Sequence, residues 1–531
     1  MRGKKKLKLK KFYFHPITVF IVLSFVVVLI SAILSGLEMQ ATYNTVNATT
    51  KELESQIVSV ENMLSFDGMK FIISNATTNF ISFTPLATLL VSLIGLCIAE
   101  ATGFIEAFSR KYVSKLSHTQ MTFIVILIAT ISSLINEIGY AILIPLVAML
   151  YAKNGRNPLT GIVTAFCGVA FGYGVSIFVG SMEVSLMDYT QSAAYLIDDN
   201  SHISLTCNLF FIIATTLILT IIGTIIIEKI ISPRLGKYKI KEDLTKTQEL
   251  RIIDLEEEEQ HKIEREKRQK KGLRYALIAF IVVVAIFIYM IIPNLPNSGM
   301  ILDMKENTYL GQVFGPNSYF QDGFTYMMSL LFLFMGLAYG IGAKTFKNDK
   351  ELLEEAGKYF SRIGNIIILI FVVSQFIAIF KKTNIGTIIT AWSANLIEYL
   401  DFSGLPLIIL SIVLIAVSNL LLTTPSAKWA ILSPVIVPMF MQSNISAQFA
   451  QIVMRAGDSM TNGITPLLAS FVIYIGYLNI YNFDKEKPIT ITRAIKLTAP
   501  YCGIICLTWI LLIVGWYILG LPIGPGVYPT I

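Results

Sequence analysis

Apolar residues come in blocks of roughly membrane-spanning length along this chain, and the polar positions that interrupt them differ from block to block. The first block, about Pro16 to Leu37, follows Arg2, Lys4, Lys5, Lys6, Lys8, Lys10 and Lys11. A secretory signal has a shorter apolar core and a small-residue cleavage site. This block therefore predicts an uncleaved span whose basic flank keeps the N-terminus in the cytoplasm. Residues 40–63 read as a polar loop with Lys51 its only basic residue, hence outside. Further spans are expected near Pro85–Ile105, Ser204–Ile231, Tyr275–Ile292, Phe324–Ile341, Phe360–Phe380, Gly463–Asn482 and Leu497–Leu519, with an amphipathic segment at Thr387–Leu400. Basic residues in Phe108–Ser117, Lys344–Lys358 and Lys485–Lys496 assign those connections to the inner side.

Two stretches break the pattern. Met121–Tyr151 is too long for one helix, is interrupted by Ser132-Ser-Leu-Ile-Asn136-Glu137-Ile-Gly139, and carries Pro145 soon after. Two half-length helices meeting at a polar tip fit better than one charged span. The second stretch begins at Ser418. Pro425, Pro434 and Pro438 interrupt it, and Asn419, Lys428, Arg455 and Asp458 place polar groups at membrane depth. In hydrocarbon such groups are costly, and irregular backbone survives only where it lines a cavity buried in protein.

Between them, Pro158–Gly180 is dense in glycine (Gly161, Gly168, Gly172, Gly174, Gly180) and leads to Glu183. Glycine-rich breaks let backbone carbonyls point at an ion. Ser132-Ser-Leu, then Ala141-Ile-Leu-Ile-Pro145-Leu, answers Ser418-Asn-Leu, then Ala430-Ile-Leu-Ser-Pro434-Val; a polar-interrupted span follows each, around Glu183 and around Asp458. An odd number of spans between the copies makes the repeat inverted, and paired interrupted segments point to a secondary transporter's binding site. The predicted organisation is a first half over residues 1–231 with a re-entrant hairpin at about 121–151. A cytoplasmic charged loop over 232–274 follows, then a second half over 275–531 with a hairpin at about 423–441.

Composition agrees with an all-α polytopic membrane protein. The 531 residues are 54% hydrophobic and 15% charged, with a mean hydropathy of +0.66, where a soluble protein carries about 25% charged residues. The net charge of +7 follows from basic flanks of spans and implies no nucleic-acid partner. Cys97, Cys167, Cys207, Cys502 and Cys506 lie in apolar segments without paired spacing, and four scattered histidines form no ligand cluster. The Leu255-Glu-Glu-Glu-Glu-Gln-His-Lys-Ile-Glu-Arg run reads as a solvated surface helix. Gly340-Ile-Gly-Ala-Lys344-Thr lacks a glycine before the lysine and fails the phosphate-loop pattern, and no hydrolase motif occurs. Transport driven by an ion gradient is what remains, without a cofactor and without enzyme chemistry.

A hard cation takes oxygen ligands. Asn419 and Asp458, with carbonyls near Thr423 and Thr461, are candidates, as are Asn136, Glu137 and Glu183; a desolvated carboxylate could instead carry a proton. Arg455 and Asp458 also stand three apart, where a purely structural pair would form. Trp429 is either a stacking platform for an aromatic substrate or an interfacial anchor. Lys428 is either part of the site or snorkels to the surface.

These residues resemble the p-aminobenzoyl-glutamate transporter (AbgT) family. The motifs are His15-Pro16, Ser132-Ser-Leu…Gly139-Tyr…Leu143-Ile-Pro-Leu146, Gly155-Arg-x-Pro158-Leu and Glu228-Lys…Pro233-Arg-Leu-Gly236. They continue with Ser426-Ala-Lys-Trp-Ala430, Pro434-Val-x-Val-Pro438-Met-Phe-Met441, Arg455-x-Gly-Asp-Ser-x-Thr-Asn462-x-Ile-Thr-Pro466 and Leu519-Gly-Leu-Pro-x-Gly-Pro525. The resemblance implies a homodimer with about nine transmembrane helices and two re-entrant helical hairpins per subunit. It implies sodium- or proton-coupled transport of p-aminobenzoyl-glutamate or related aromatic folate fragments, some members exporting p-aminobenzoate and sulfonamides. Carried over, Ser426, Trp429, Arg455, Asp458 and Pro466 line the substrate pathway, and Asn419 and Asp458 hold sodium; the residues themselves add Glu183 to the substrate candidates and Asn136 and Glu137 to the sodium candidates. Glu137 and Glu183 stand where the family usually has Asp, Ser176 where it has Asn, and Ala447 where it often has Pro.

The expected protein is thus a multi-pass carrier of the inner (cytoplasmic) membrane, with the lipid bilayer, a small-molecule substrate and a second copy as partners. Its hairpin-bearing part would move like an elevator against a scaffold. The rivals are a sodium-coupled dicarboxylate symporter and, in another class, a membrane sensor or enzyme.

Overall fold

The computed structural model describes residues 14–47, 50, 52–135, 138–236, 255–315, 317–484 and 486–531, without the side chains of 255–263. The chain is almost entirely helical. Helix α1 (Pro16–Gly36) starts where the His15 ring accepts from the Ile17 N–H, with Pro16 in the first turn. Strands β1 (Gln40–Val46) and β2 (Leu53–Ser59) then pair antiparallel, Gln40 opposite Ser59 and Val46 opposite Leu53. The polar loop expected over 40–63 is therefore a β-hairpin. Its β-branched residues (Thr42, Thr45, Val46, Ile57, Val58) favour the extended ladder, a signal that polarity alone hides.

Helices α2 (Phe66–Ser74), α3 (Ala76–Ile81), α4 (Thr84–Ala101) and α5 (Phe104–Lys111) follow. Then come α6 (His118–Ile131), α7 (Ile138–Lys153), α8 (Pro158–Phe171), α9 (Ser181–Ala194), α10 (Leu209–Ile226) and α11 (Ser232–Leu235). The later part holds α12 (Leu255–Ile291), α13 (Tyr309–Phe314), α14 (Tyr319–Ala343), α15 (Asp349–Phe360), α16 (Gly364–Lys382) and α17 (Ile385–Leu400). It ends with α18 (Gly404–Asn419), α19 (Pro425–Gln442), α20 (Ala447–Thr461), α21 (Phe471–Ile480) and α22 (Ile491–Leu519).

Among the described residues, 8 helical stretches are long and apolar enough to cross a membrane. Phe25, Leu29 and Ile33 on α1, Leu277, Ile278 and Ile281 on α12, and Leu511 and Ile518 on α22 are exposed large apolar side chains, as lipid-facing residues must be.

One of those stretches is α6 with its 3-10 extension Ser132–Ile135. The Arg156 guanidinium, just past α7, donates to the His118 carbonyl at the start of α6 at 2.9 Å, so α6 and α7 leave and re-enter one face. Where a first hairpin is expected at about 121–151, the helices α6 and α7 run from three residues before to two residues after those limits.

The second hairpin differs from its expected bounds. The range 423–441 covers one arm, α19; the other arm is α18, whose uncharged, apolar sequence reads like any span. Gly404 at the start of α18 and Phe449 beyond the end of α19 both lie near Tyr517, which puts the two outer ends on one face. Two further differences concern the span limits. The charged run expected as part of a loop over 232–274 continues into the next span as one helix, α12, with no proline to stop it; Gly272 at the junction stays helical and packs closely on Tyr339 and Ala343 of α14. The span expected at Gly463–Asn482 is shorter: it holds the helix α21 alone, which the break at 462–470 separates from α20.

The helices form two packed groups. Helix α14 lies against α4 and α12, with α15 and α5 on α4 and α1 on α16. The other group joins α6, α7, α8 and α10 to α18, α19, α20 and α22, with α9 against α19 and α20. Each hairpin base is closed separately. At the first, Arg156 pairs with Glu228 of the π turn at 2.6 Å, stacks 4.3 Å from the Tyr151 ring centre and meets the Thr122 hydroxyl at 3.0 Å; Thr122 also donates to Glu228. At the second, Ser446 donates from its N–H to the Pro529 carbonyl at 2.8 Å and from its hydroxyl to the Tyr528 carbonyl at 2.7 Å.

Candidate functional site

A cavity of about 490 Å³ lies where the hairpin tips meet the scaffold helices. Thr423, Thr424, Pro425 and Ser426 line it from the second tip, Ile138 from the first, and Tyr173, Met182 and Ser185 from the break behind α8 and from α9. Opposite them stand Thr84 and Thr88 of α4, Asp322 of α14 and Lys381 of α16. Two residues beyond Lys381, the Thr383 carbonyl accepts from the Glu61 N–H at 3.2 Å, beside the β-hairpin. Since α1 separates that hairpin from the N-terminus, the cavity lies toward the face opposite the N-terminus.

Behind the second tip the sequence brings three polar side chains together out of reach of the surface. Lys428, in the first turn of α19, donates from Nζ to Asp458 Oδ1 at 2.5 Å and to Asn419 Oδ1 at 2.6 Å. All three residues are 0% exposed. Asn419, the last residue of α18, turns its amide nitrogen to the Asp458 carbonyl at 2.6 Å, Thr461 Oγ1 at 3.0 Å and Asn462 Oδ1 at 2.9 Å. Thr461 passes its own proton to the Ala416 carbonyl at 3.0 Å. The end of α18, the start of α19 and the end of α20 are thereby held as one unit. Asp458 Oδ2 is buried with no hydrogen-bond partner.

One turn back along α20, Arg455 faces a different neighbour. Its Nε donates to the Gly174 carbonyl at 2.7 Å, and its Nη1 lies 2.5 Å from Glu183 Oε1 in an ionic contact whose angles make no hydrogen bond. Glu183 Oε2 accepts from the Gly180 N–H at 2.7 Å, which fixes the first turn of α9. Gly174 permits this approach: a Cβ there would lie 2.4 Å from Ser459 Oγ and 2.7 Å from the Arg455 carbonyl. The other polar residue on this face of α20, Gln451, bridges Asn208 Nδ2 at 2.6 Å to Thr190 Oγ1 at 3.4 Å, and Thr190 accepts the Trp429 indole N–H at 2.8 Å.

Several readings of single residues are corrected here. Lys428 does not snorkel; it is enclosed, because α19 carries it to the protein interior and Asp458 balances its charge. Arg455 and Asp458 do not pair with each other. Residues three apart on a helix differ in direction enough to meet separate partners, and Glu183 and Lys428 supply them. Trp429 is no interfacial anchor, being 0% exposed, and it does not line the cavity.

Of the candidates, Ser426 lines the cavity. Pro466 sits in the α20–α21 break next to Leu467, which also lines it. Asn419 and Asp458 stand together, and Glu183 joins Arg455 rather than the Asp458 cluster. Asn136 and Glu137 lie outside the described residues. Tyr173, Asp322, Lys381, Thr190, Gln451 and Asn208 were not legible as site residues. Only Gln451 carried a signal, since it repeats the helical spacing of Arg455 and Asp458 on one face of α20.

A sodium ion, expected from the resemblance as cargo at Asn419 and Asp458, would find suitable oxygens there. The Lys428 ammonium, however, already bridges the two nearest ones. Among the described residues no group of three or more His, Cys, Asp or Glu could hold a metal ion.

The profile of the AbgT transporter family matches residues 10–531. The p-aminobenzoyl-glutamate transport protein of Escherichia coli (strain K12) is 29% identical over 517 residues, covering 97% of this chain and 94% of its own length. Among solved structures, the YdaH transporter of Alcanivorax borkumensis is 27% identical with a TM-score of 0.47, covering 96% of this chain and 100% of its own. MtrF of Neisseria gonorrhoeae, described with a class of antimetabolite efflux pumps, is 30% identical with a TM-score of 0.47, covering 98% of each chain. Family and relatives are transporters, not enzymes. The chain, an all-α polytopic membrane protein, belongs to the AbgT transporter family.

Proposed function

We propose that this chain is an ion-coupled secondary carrier of p-aminobenzoyl-glutamate or a related aromatic folate fragment in the inner membrane. The observation that carries this reading is the cavity bounded by Thr423–Ser426 with a buried Asn419–Lys428–Asp458 cluster directly behind it. The Escherichia coli relative, aligned over nearly all of both chains, supplies the substrate. Buried ionisable groups at membrane depth are costly and mark substrate or ion pathways.

In this reading the substrate ring lies along Tyr173, and a carboxylate meets Lys381 and the polar tip around Ser426. Trp429 and Arg455 stand behind the cavity wall and come into play once the second hairpin moves. The broken spans α8–α9 and α20–α21 count as one crossing each and the α6–α7 and α18–α19 pairs as hairpins, which gives nine crossings. Both hairpins and both broken spans move as one body against α4, α14 and α16. Exposed apolar faces on the scaffold side, such as α12, suit lipid and a second subunit.

Uptake of radiolabelled p-aminobenzoyl-glutamate into proteoliposomes tests this, with sodium and proton gradients imposed separately. Flux under at least one gradient, blocked by p-aminobenzoate and abolished by Asp458→Ala, is expected. Flux under neither sinks the proposal. Competition by succinate but not by p-aminobenzoate favours a dicarboxylate symporter, and ligand binding without flux favours a sensor. Reversing the gradient reads export, sulfonamides included.

A further inference from the structure

We propose that the Lys428 ammonium is a resident cation which a transported ion must displace, and that its release unlatches the tip of the second hairpin. The inference rests on reading the chain as an ion-coupled carrier. Lys428 Nζ touches one oxygen from each of Asn419 and Asp458, at 2.6 and 2.5 Å, and these are the oxygens a small cation would take. Two cations cannot share the space between one pair of oxygens. Nor can the cluster hold both without an unbalanced charge in an environment that is 0% exposed at all three residues.

Asp458 supplies the way in. Its Oδ2 is buried and unpartnered, so an arriving ion gains a ligand before the lysine lets go of Oδ1. The tether is also mechanical. Lys428 stands in the first turn of α19, its N–H on the Thr424 carbonyl at 3.1 Å, immediately beside the residues that line the cavity. While Nζ is held, the tip is fastened to the ends of α18 and α20. Once displaced, the ammonium has the polar tip and the cavity beyond it, where a substrate carboxylate would receive it. Ion and anionic substrate thus favour each other's binding without touching.

The purified full-length protein is titrated with sodium against choline, without substrate, and the melting midpoint is followed. A tethered competitor raises the ion concentration needed for half-saturation by its effective concentration, so Lys428→Gln should respond at about tenfold less sodium than wild type. Lys428→Arg should resemble wild type, and Lys428→Gln with Asp458→Asn should lose the response. Equal midpoints in wild type and Lys428→Gln, or no response of Lys428→Gln to sodium, lithium or potassium, overturn the proposal. If Lys428→Gln does not fold, hydrogen exchange of wild type decides: saturating sodium should speed exchange over 419–430, and unchanged exchange overturns it. A sodium response without p-aminobenzoyl-glutamate flux would fault only the substrate reading; flux without the lysine effect would fault only this one.

Discussion

Removing the Asp458 carboxylate would leave the Lys428 ammonium enclosed beside a single amide oxygen. Breaking a buried pair from one side costs on the order of 3–5 kcal/mol, whereas removing both charges is close to neutral. Asp458→Ala should therefore melt at distinctly lower temperature in detergent, and Lys428→Gln combined with Asp458→Asn should recover most of the loss. A double variant as unstable as the single one would show that packing, not charge, sets the cost. What could be read at this scale was depth, not partnership. The prolines and lone charges after Ser418 placed Asn419, Arg455 and Asp458 inside the membrane protein. Their partners lie far away in sequence, 30 residues on for the Lys428–Asp458 pair, and only the crossing of α18, α19 and α20 selects them.

The two hairpins differ in how their bases are held, the first by side chains from α6, α7, the α7–α8 turn and the π turn Ile227–Ile231, the second by the C-terminal tail. The bases should loosen independently. Deleting residues 526–531 should speed hydrogen exchange over 442–449 and leave 118–124 unchanged, and Arg156→Ala should do the reverse; matched changes at both bases would refute independent closure. Sequence pattern divided the stretch 121–151 into the two helices α6 and α7 because Asn136 and Glu137 interrupt its apolar run with charge and amide. It missed the arm α18, since an apolar helix of 16 residues carries no mark of whether the chain crosses or turns back. That information is in the loop geometry and in which outer ends meet, which hydropathy does not encode.

At the scale of the whole molecule, one ionic contact among the described residues ties the hairpin-bearing group to the scaffold on the N-terminal face. Lys153 at the end of α7 lies 2.9 Å from Glu100 near the end of α4. With the cavity toward the opposite face, this tie favours the present arrangement. Glu100→Gln should lower the rate at which a membrane-impermeant thiol reagent labels Thr424→Cys, by about two- to fivefold, as a partly exposed pair would allow. An unchanged or faster rate would remove the tie from the mechanism. The two-group architecture itself was only outlined in the duplicated motifs. Which helices travel together depends on close backbone contacts such as Gly174 against α20, which single-residue patterns do not display.

The same pairing has an electrical side. Among the described residues, the buried charges of the hairpins and broken spans cancel: Lys428 with Asp458, Arg455 with Glu183, and Arg156 with Glu228. Carrying one uncompensated elementary charge through 100 mV is worth about 2.3 kcal/mol. In the proposed elevator movement these three pairs move no net charge, whereas Lys153, whose partner Glu100 stays on the scaffold, travels without its counter-ion. Voltage jumps on substrate-free, ion-free protein should then displace the same charge in wild type as in Lys428→Gln combined with Asp458→Asn, and a difference would show that the pair does not move as a neutral unit.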